Sequence, residues 1–363
     1  MEQPVQSNRP PSDDFRQQKL KAWQPIMTPL KVVAIFVAIG VAFIPTGVSL
    51  MNSSNAIYEK RIMYDGSNQA VSCSISDQNE GKVCSLTFNF DEDADGPIYV
   101  YYELENFYQN HRRYVSSRDS LQLAGEAISK ADLQTTCESF INNGSQLINP
   151  CGLIANSLFT DVFTLDNAAS NPSTVSMDSS EIAWASDKEK FKQPQGFQSK
   201  VVTSTANTCA QEGLPDDCKY YQDPATGTQY YFHYPNDNTV QYLYESYPNH
   251  ISPVVGVTDQ HFKVWMRPAA LPQFRKLYGK IDHDYKKGDT LTFTVTANFE
   301  VESFDGSKSL LISNLGEFGG KNPFLGVAYV VVGSISLMFA LLFVVKQTVA
   351  PRAKADASLL NWT

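Results

Sequence analysis

Apolar and polar residues alternate at short range through most of this chain, but two stretches break the pattern. Val32 to Met51 reads VVAIFVAIGVAFIPTGVSLM, twenty residues without a charge. Phe324 to Val345 reads FLGVAYVVVGSISLMFALLFVV, twenty-two positions with no Asp, Glu, Lys, Arg or His. At about 1.5 Å of rise per residue the second run reaches roughly 33 Å, enough to cross a hydrocarbon core of about 30 Å. Both are predicted to be transmembrane helices, the first bent near Pro45, a break that membrane helices accommodate when neighbours satisfy the freed carbonyl. Because thirty-one residues precede the first run, and its apolar length exceeds that of a signal-peptide core, an uncleaved anchor is expected.

Between the two runs the period shortens to two. Val71, Cys73 and Ile75 alternate with serines, and Cys84, Leu86, Phe88 and Phe90 alternate with polar residues, which predicts a hairpin closed by a disulfide. Residues 96–115, dense in Tyr and Phe, predict a long strand turning near Asn110, its aromatics filling a sheet core. Strands are also expected at Gln229–Tyr234, Thr239–Tyr244 and Leu310–Ser313. The most regular is Thr290–Val301, where Leu291, Phe293, Val295, Ala297, Phe299 and Val301 alternate without a break. Residues 116–228 lack a sustained period and are rich in Ser, Asn, Asp and Pro, which predicts loops and short helices. The fold expected is a membrane protein with two transmembrane α-helices flanking a β-rich, antiparallel, sandwich-like ectodomain that carries a long irregular insertion.

Charge orients this arrangement. Arg16, Lys19, Lys21 and Lys31 precede the first apolar run and Lys346, Arg352 and Lys354 follow the second, whereas only Lys60, Arg61 and Lys321 lie close on the other side. The positive-inside rule then gives a cytosolic tail at 1–31, helices at 32–51 and 324–345, an extracytosolic domain at 52–323 and a second cytosolic tail at 346–363. All six cysteines (Cys73, Cys84, Cys137, Cys151, Cys209 and Cys218) fall inside the extracytosolic segment. An oxidising compartment explains that distribution through disulfides. Six cysteines allow fifteen pairings, so the order is open, although spacing favours three local loops, 73–84, 137–151 and 209–218. Zinc is disfavoured, because there is no C-x-x-C and the histidines are scattered. Of the N-x-[ST] sequons, Asn143 is the expected glycosylation site. Asn52 abuts a helix, Asn361 is expected in the cytosol, and Asn171 is followed by Pro172.

Catalytic signatures are missing from the sequence. It contains no G-x-S-x-G, H-E-x-x-H or G-x-G-x-x-G. Gly319-Gly320-Lys321 resembles the end of a phosphate loop but lacks its earlier glycine. Asp223-Pro-Ala-Thr-Gly-Thr228 resembles an ATPase phosphorylation motif but lacks its lysine, and both read as turns. The net charge of −9 and the topology disfavour nucleic acid. In the second helix Gly326, Gly333 and Ala340 recur every seven residues with Ser336 between, a small-residue stripe that allows close helix approach.

Six blocks carry a family resemblance. They are FRQQKLKAWQPI before the first helix, YQNHRRYVSSRD at 108–119, PCGLIANSLFTD at 150–161, IAWASDKEKFKQP at 182–194, WMRPAALPQFRKLYGKI at 265–281 and GGKNPFLGVAYVVVGS at 319–334. In these the chain resembles the non-catalytic β subunits of phospholipid-flipping (type IV) P-type ATPases, the ligand-effect modulator or cell-division-control family. It departs from that family in having one cysteine pair near residue 73 where many members nest two, and in Thr160, where Asn is usual. The resemblance implies two membrane helices, a disulfide-linked glycosylated ectodomain, no cofactor and no activity of its own. It also implies a heterodimer with the catalytic ATPase, whose stability, exit from the endoplasmic reticulum and movement of phospholipid to the cytosolic leaflet the subunit supports. The expected addresses are endoplasmic reticulum, Golgi, endosome or plasma membrane.

Three contact regions are expected on that basis. They are the cytosolic segment Phe15–Lys31 with Phe15 and Trp23, the stripe Gly326, Gly333 and Ala340, and the stretch Pro268–Ile281 with Arg275. The last is equally read as core, through Leu271, Phe274, Leu277 and Tyr278. Two other classes share parts of the pattern. A two-helix ligand-gated channel has the topology, but neither helix offers an ionisable pore residue, and a membrane-tethered hydrolase lacks its nucleophile and base.

Overall fold

Along the chain the computed structural model, which describes residues 13–20, 27–66, 73–138, 140–167, 175–202, 208–316 and 319–351, begins with helix α1 (Pro29–Asn55) and strands β1 (Glu59–Gly66), β2 (Lys82–Asn89) and β3 (Ile98–Glu105). Short elements follow: α2 (Arg112–Ser116), α3 (Ser120–Leu123), α4 (Lys130–Thr136), β4 (Asn142–Asn143), β5 (Gln146–Asn149), β6 (Val162–Leu165), β7 (Met177–Asp178) and α5 (Ala185–Lys188). Next come β8 (Gln198–Val201), β9 (Lys219–Gln222), β10 (Gln229–His233), β11 (Val240–Tyr242), α6 (Leu243–Ser246) and α7 (Gln260–Met266). The chain closes with β12 (Phe274–Ile281), β13 (Thr290–Ala297), β14 (Ser307–Ser313) and α8 (Phe324–Val349). The two long helices form one compact unit and residues 56–321 form another. Trp23, Asn361, Arg352 and Lys354 lie outside the described residues.

The ectodomain is built on two antiparallel sheets. One has the order β1-β14-β3-β12-β7, the other β2-β13-β6. On β3 burial alternates, with Ile98, Val100, Tyr102 and Leu104 buried, while Tyr99 and Tyr101 lie half-exposed on the other face, so only part of the expected aromatic set fills the core. Leu86, Phe88, Leu291, Phe293, Val295 and Phe163 face the buried set from the second sheet in the same core. Phe163 ties the layers together, its ring 4.8 Å from Tyr278 on β12 and 5.8 Å from Tyr64 on β1. Burying one such aromatic side chain contributes about 1.5–3 kcal/mol. The inner faces therefore hold the sandwich together.

Three strand expectations change. β2 pairs along its whole length with β13, not with residues 73–75, and Cys73 to Ile75 is not a strand. Its tie to β2 is the Cys73–Cys84 disulfide, with Cα atoms 5.7 Å apart, while its Cys73 N–H donates to the Tyr64 carbonyl. β3 stops at Glu105, because Asn106 takes a left-handed φ of 62° that no strand continues. β13 stops at Ala297, because the next two backbone N–H groups, on Asn298 and Phe299, turn to the Asp161 carboxylate at 2.6 and 2.7 Å. β10 and β11 belong to different sheets. β10 lies between β8 and β9, whereas β11 runs parallel to β5.

The insertion between β3 and β12 also supplies β6 and β7, which sequence left as loop, to the two main sheets. Its own parts are held by disulfides Cys137–Cys151 and Cys209–Cys218, with Cα separations of 6.1 and 5.9 Å. β14, longer than the Leu310–Ser313 expected, lies between β1 and β3 with all seven residues buried. That position explains a polar cluster inside the core. Lys308 on β14, 0% exposed, lies 3.1 Å from Asp65 and 2.9 Å from Asp161 and donates to the Phe299 carbonyl. The Tyr64 hydroxyl donates to Asp161 at 2.7 Å. Asp65 meets the ammonium off the hydrogen-bonding direction, and burial raises its carboxyl pKa against the pull of Lys308.

Candidate docking site

The membrane unit is a helix pair whose seam is made of small residues from both partners. On α1 the buried positions are Gly40, Gly47 and Ser54, and on α8 they are Gly326, Gly333, Ser336 and Ala340. Apart from Ser336, both series step by seven, so one seam persists along each helix. The pairing is antiparallel. A Cβ added to Gly47 would stand 2.7 Å from the Gly326 carbonyl oxygen, and one on Gly333 would stand 2.8 Å from Ile44 Cγ1. Farther along, a Cβ on Gly40 would stand 2.4 Å from Leu337. Only glycine lets the backbones approach this closely, and without a hydrophobic drive between helices in lipid that packing is the main source of affinity. Rings close the flanks, Phe43 against Tyr329 at 4.9 Å and Phe36 against Phe339 at 5.8 Å.

This corrects the expected use of the stripe. Gly326, Gly333 and Ala340 are covered by α1 of the same chain, so they are not the surface offered to another protein. The outward faces are free of that seam. On α8, Val331, Ile335, Met338 and Leu342, spaced by four, three and four, are 44–54% exposed and share one side. The sequence signal for the true partner was available in Gly40, Gly47 and Ser54, which repeat the same step of seven. Pro45 does not interrupt α1, and Thr46 Oγ1 donates to the Ala42 carbonyl at 2.8 Å.

The GGKNPFLG leader has a local role. Asn322 Oδ1 accepts the Phe324 N–H at 3.0 Å, satisfying a free donor at the start of α8, and the Asn322 N–H donates to Ser54 Oγ at the end of α1 at 2.9 Å. The two helices are therefore tied at one end by hydrogen bonds and along their length by glycine contacts. At the other end of this unit, Phe15 lies in a turn held by Asp13, which accepts the Arg16 N–H at 2.7 Å, and is 75% exposed.

In the ectodomain, Arg275 projects from the outer face of β12 to Glu59 at 2.8 Å and over the Tyr101 ring at 5.4 Å. Phe274, Tyr278 and Ile281 are buried, Leu277 is half-buried and Leu271 is 66% exposed, so Leu271 is not part of the core that sequence assigned to it. The stretch contains a lysine whose role sequence missed. Lys276 is 6% exposed and donates to the carbonyls of Val264, Trp265 and Arg267 at 3.0, 2.7 and 2.7 Å, closing the C-terminal end of α7. Burial pushes its pKa down to about 7, with Arg267 adding to the effect. Trp265, fully buried, donates Nε1–H to the Ile154 carbonyl at 2.8 Å, joining two of the family-like blocks. Asn143 is exposed at the β4–β5 turn, its amide donating to Gln241 Oε1 at 2.9 Å. Among the described residues no cluster of three or more His, Cys, Asp or Glu side chains is placed to hold a metal ion.

Comparison with known proteins agrees with this architecture. The family model described as "LEM3 (ligand-effect modulator 3) family / CDC50 family" matches residues 50–353. Cell cycle control protein 50A of Bos taurus is 36% identical over 353 residues, covering 94% of this chain and 90% of its own length. ALA-interacting subunit 3 of Arabidopsis thaliana is 36% identical over 98% of this chain and 91% of its own. Phospholipid-transporting ATPase accessory subunit CRF1 of Saccharomyces cerevisiae is 28% identical over 98% of this chain and 89% of its own. With two terminal helices that are long and apolar enough to span a bilayer and a disulfide-linked β sandwich between them, the chain is an integral membrane protein belonging to the ligand-effect modulator 3 (CDC50) family.

Proposed function

We propose that this chain is the non-catalytic accessory subunit of a phospholipid-translocating P-type ATPase, bound to the catalytic subunit as a heterodimer. The observation that carries the reading is its similarity, over almost the whole chain, to a yeast protein named as the accessory subunit of a phospholipid-transporting ATPase. Both tails lie in the cytosol and residues 52–323 face the lumen or cell exterior, where the three disulfides form and Asn143 is glycosylated. The subunit stabilises the ATPase, supports its exit from the endoplasmic reticulum and supports movement of phospholipid from the exoplasmic to the cytosolic leaflet.

Contact with the ATPase is made by the segment Phe15–Lys31, including Trp23, at the cytosolic surface and by the outward face of α8 within the membrane. Arg275 and the glycine seam act one step back, by holding the surfaces that dock. Replacing Ile335 by Trp on the outward face should lower recovery of the ATPase with the tagged subunit while the ectodomain keeps its disulfides. Undiminished recovery would remove this face from the interface. The topology has its own test. A glycosidase-sensitive mobility shift should vanish in Asn143→Gln and persist in Asn361→Gln, and the reverse pattern would invert the orientation.

A further inference from the structure

On the ectodomain surface two adjoining clefts of about 390 Å³ each share Asp187, Lys263, Arg267 and Pro268 in their walls. The first is also lined by Arg118 and Lys190. Four cations thus meet a single carboxylate, Asp187, in a chain of net charge −9. That carboxylate is already engaged, by Lys190 at 2.8 Å and Arg267 Nε at 3.5 Å. Arg267 is further fixed by its stacking over the Trp184 ring at 4.5 Å.

Lys263 is the unusual member. It sits on α7, 6% exposed, and lines both clefts. Among the described residues its ammonium has no ion pair and no side-chain hydrogen bond, and neither does the guanidinium of Arg118. The nearest acid on its own helix side, Asp259, is occupied as the N-cap of α7, accepting the Phe262 N–H at 2.8 Å. Burial lowers the Lys263 pKa, with Asp259 opposing the shift and Lys188 adding to it, and an anion in the cleft would raise it again. The stem of the side chain is buried while its ammonium stays open to the clefts, where it can meet an anion. The remaining wall, Leu123, Phe191 and Met266, is apolar.

We propose that this cleft binds a phosphate group, with Lys263 and Arg118 as its direct cationic ligands and Arg267 as a pre-positioned third. Arginine matches the oxygens of phosphate two at a time. Two sources share this chemistry, a phospholipid headgroup and a free phosphate. The inference stands on the cleft alone and is independent of the accessory-subunit reading.

The test uses the full chain in neutral detergent and phosphate-free buffer at fixed ionic strength, titrated calorimetrically with glycerophosphoserine and, separately, with inorganic phosphate. One equivalent should bind. Affinity should fall roughly ten- to hundredfold in Arg118→Gln and in Lys263→Met, the loss expected for one charge-assisted contact, and should return in Lys263→Arg. Preference for glycerophosphoserine identifies a lipid headgroup, and equal or better binding of inorganic phosphate identifies a free phosphate. The proposal is overturned if neither compound saturates by roughly 10 mM, or if Arg118→Gln binds as tightly as the parent. Arg118 is exposed and its replacement leaves the core untouched, so that variant decides the matter even where Lys263→Met does not fold.

Discussion

Placing leucine at Gly47 attacks the helix pair where the added Cβ would meet the partner backbone most closely. A Cβ there would meet the Gly326 carbonyl oxygen at 2.7 Å and the Val330 nitrogen at 2.9 Å, both backbone atoms, where ordinary contact begins at 3.4 Å. Neither obstacle can rotate away, so the helices must separate by about 0.5–0.7 Å before the rest of the side chain is placed, and a gap of that size forfeits roughly a quarter to a half of each dispersion contact across the seam. For some tens of atom pairs at about 0.1–0.2 kcal/mol each, the loss is on the order of 1–2 kcal/mol, or roughly a five- to thirtyfold rise in the opened population. The separation can be read in native membranes with a Phe43→Cys and Tyr329→Cys pair, whose parent rings lie 4.9 Å apart, by following the rate of disulfide formation. Gly47→Leu in that background should slow cross-linking about tenfold. Val41→Leu, at a position 63% exposed, should leave the rate unchanged. Equal rates for Gly47→Leu and the parent would refute the glycine seam.

Three further outcomes follow from the ectodomain. Lys308→Met strands Asp65 and Asp161 in the core and should cost about 3–5 kcal/mol, seen as a large fall in Tm of the detergent-solubilised chain. Replacing Cys137 and Cys151 together by serine opens a loop of sequence separation 14 and should cost about 3 kcal/mol, measured by denaturant unfolding under non-reducing conditions. Lys276 gives a pH dependence. Its folded pKa of about 7 lies below the ordinary lysine value of 10.5, so the unfolded chain binds more protons between those values and stability should rise with pH across that window, a slope that Lys276→Met removes. A profile unchanged in that variant would mean that Lys276 stays charged in the fold.

The parts of this architecture that follow from periodicity were legible in the sequence. The two apolar runs, the alternation of β2 and the inner face of β13 can be read directly, because each is a local pattern that burial enforces. What escaped depends on distant partners. Nothing in the sequence near Ala297 ends β13; the carboxylate of Asp161 does so from far along the chain. Only Leu310–Ser313 of β14 reads as strand, because SKS puts polar residues at the start of a strand that both neighbours bury, and its lysine is tolerated only by Asp65 and Asp161. β6 is four residues long, too short to carry a period, and is fixed by pairing with β13. The stripe on α8 was visible while its occupant was not, although Gly40, Gly47 and Ser54 repeat the same step. A seam is a property of two helices, and reading one of them left the other half unassigned.

The central claim is that this chain works bound to a much larger catalytic subunit. Extraction of native membranes in mild detergent, affinity purification through the tagged chain and mass spectrometry of the co-eluting protein test it most directly. The account predicts a one-to-one complex with a P-type ATPase whose phospholipid-stimulated hydrolysis is lost when this subunit is withdrawn. A homotrimer of this chain alone that conducts ions after reconstitution would contradict it.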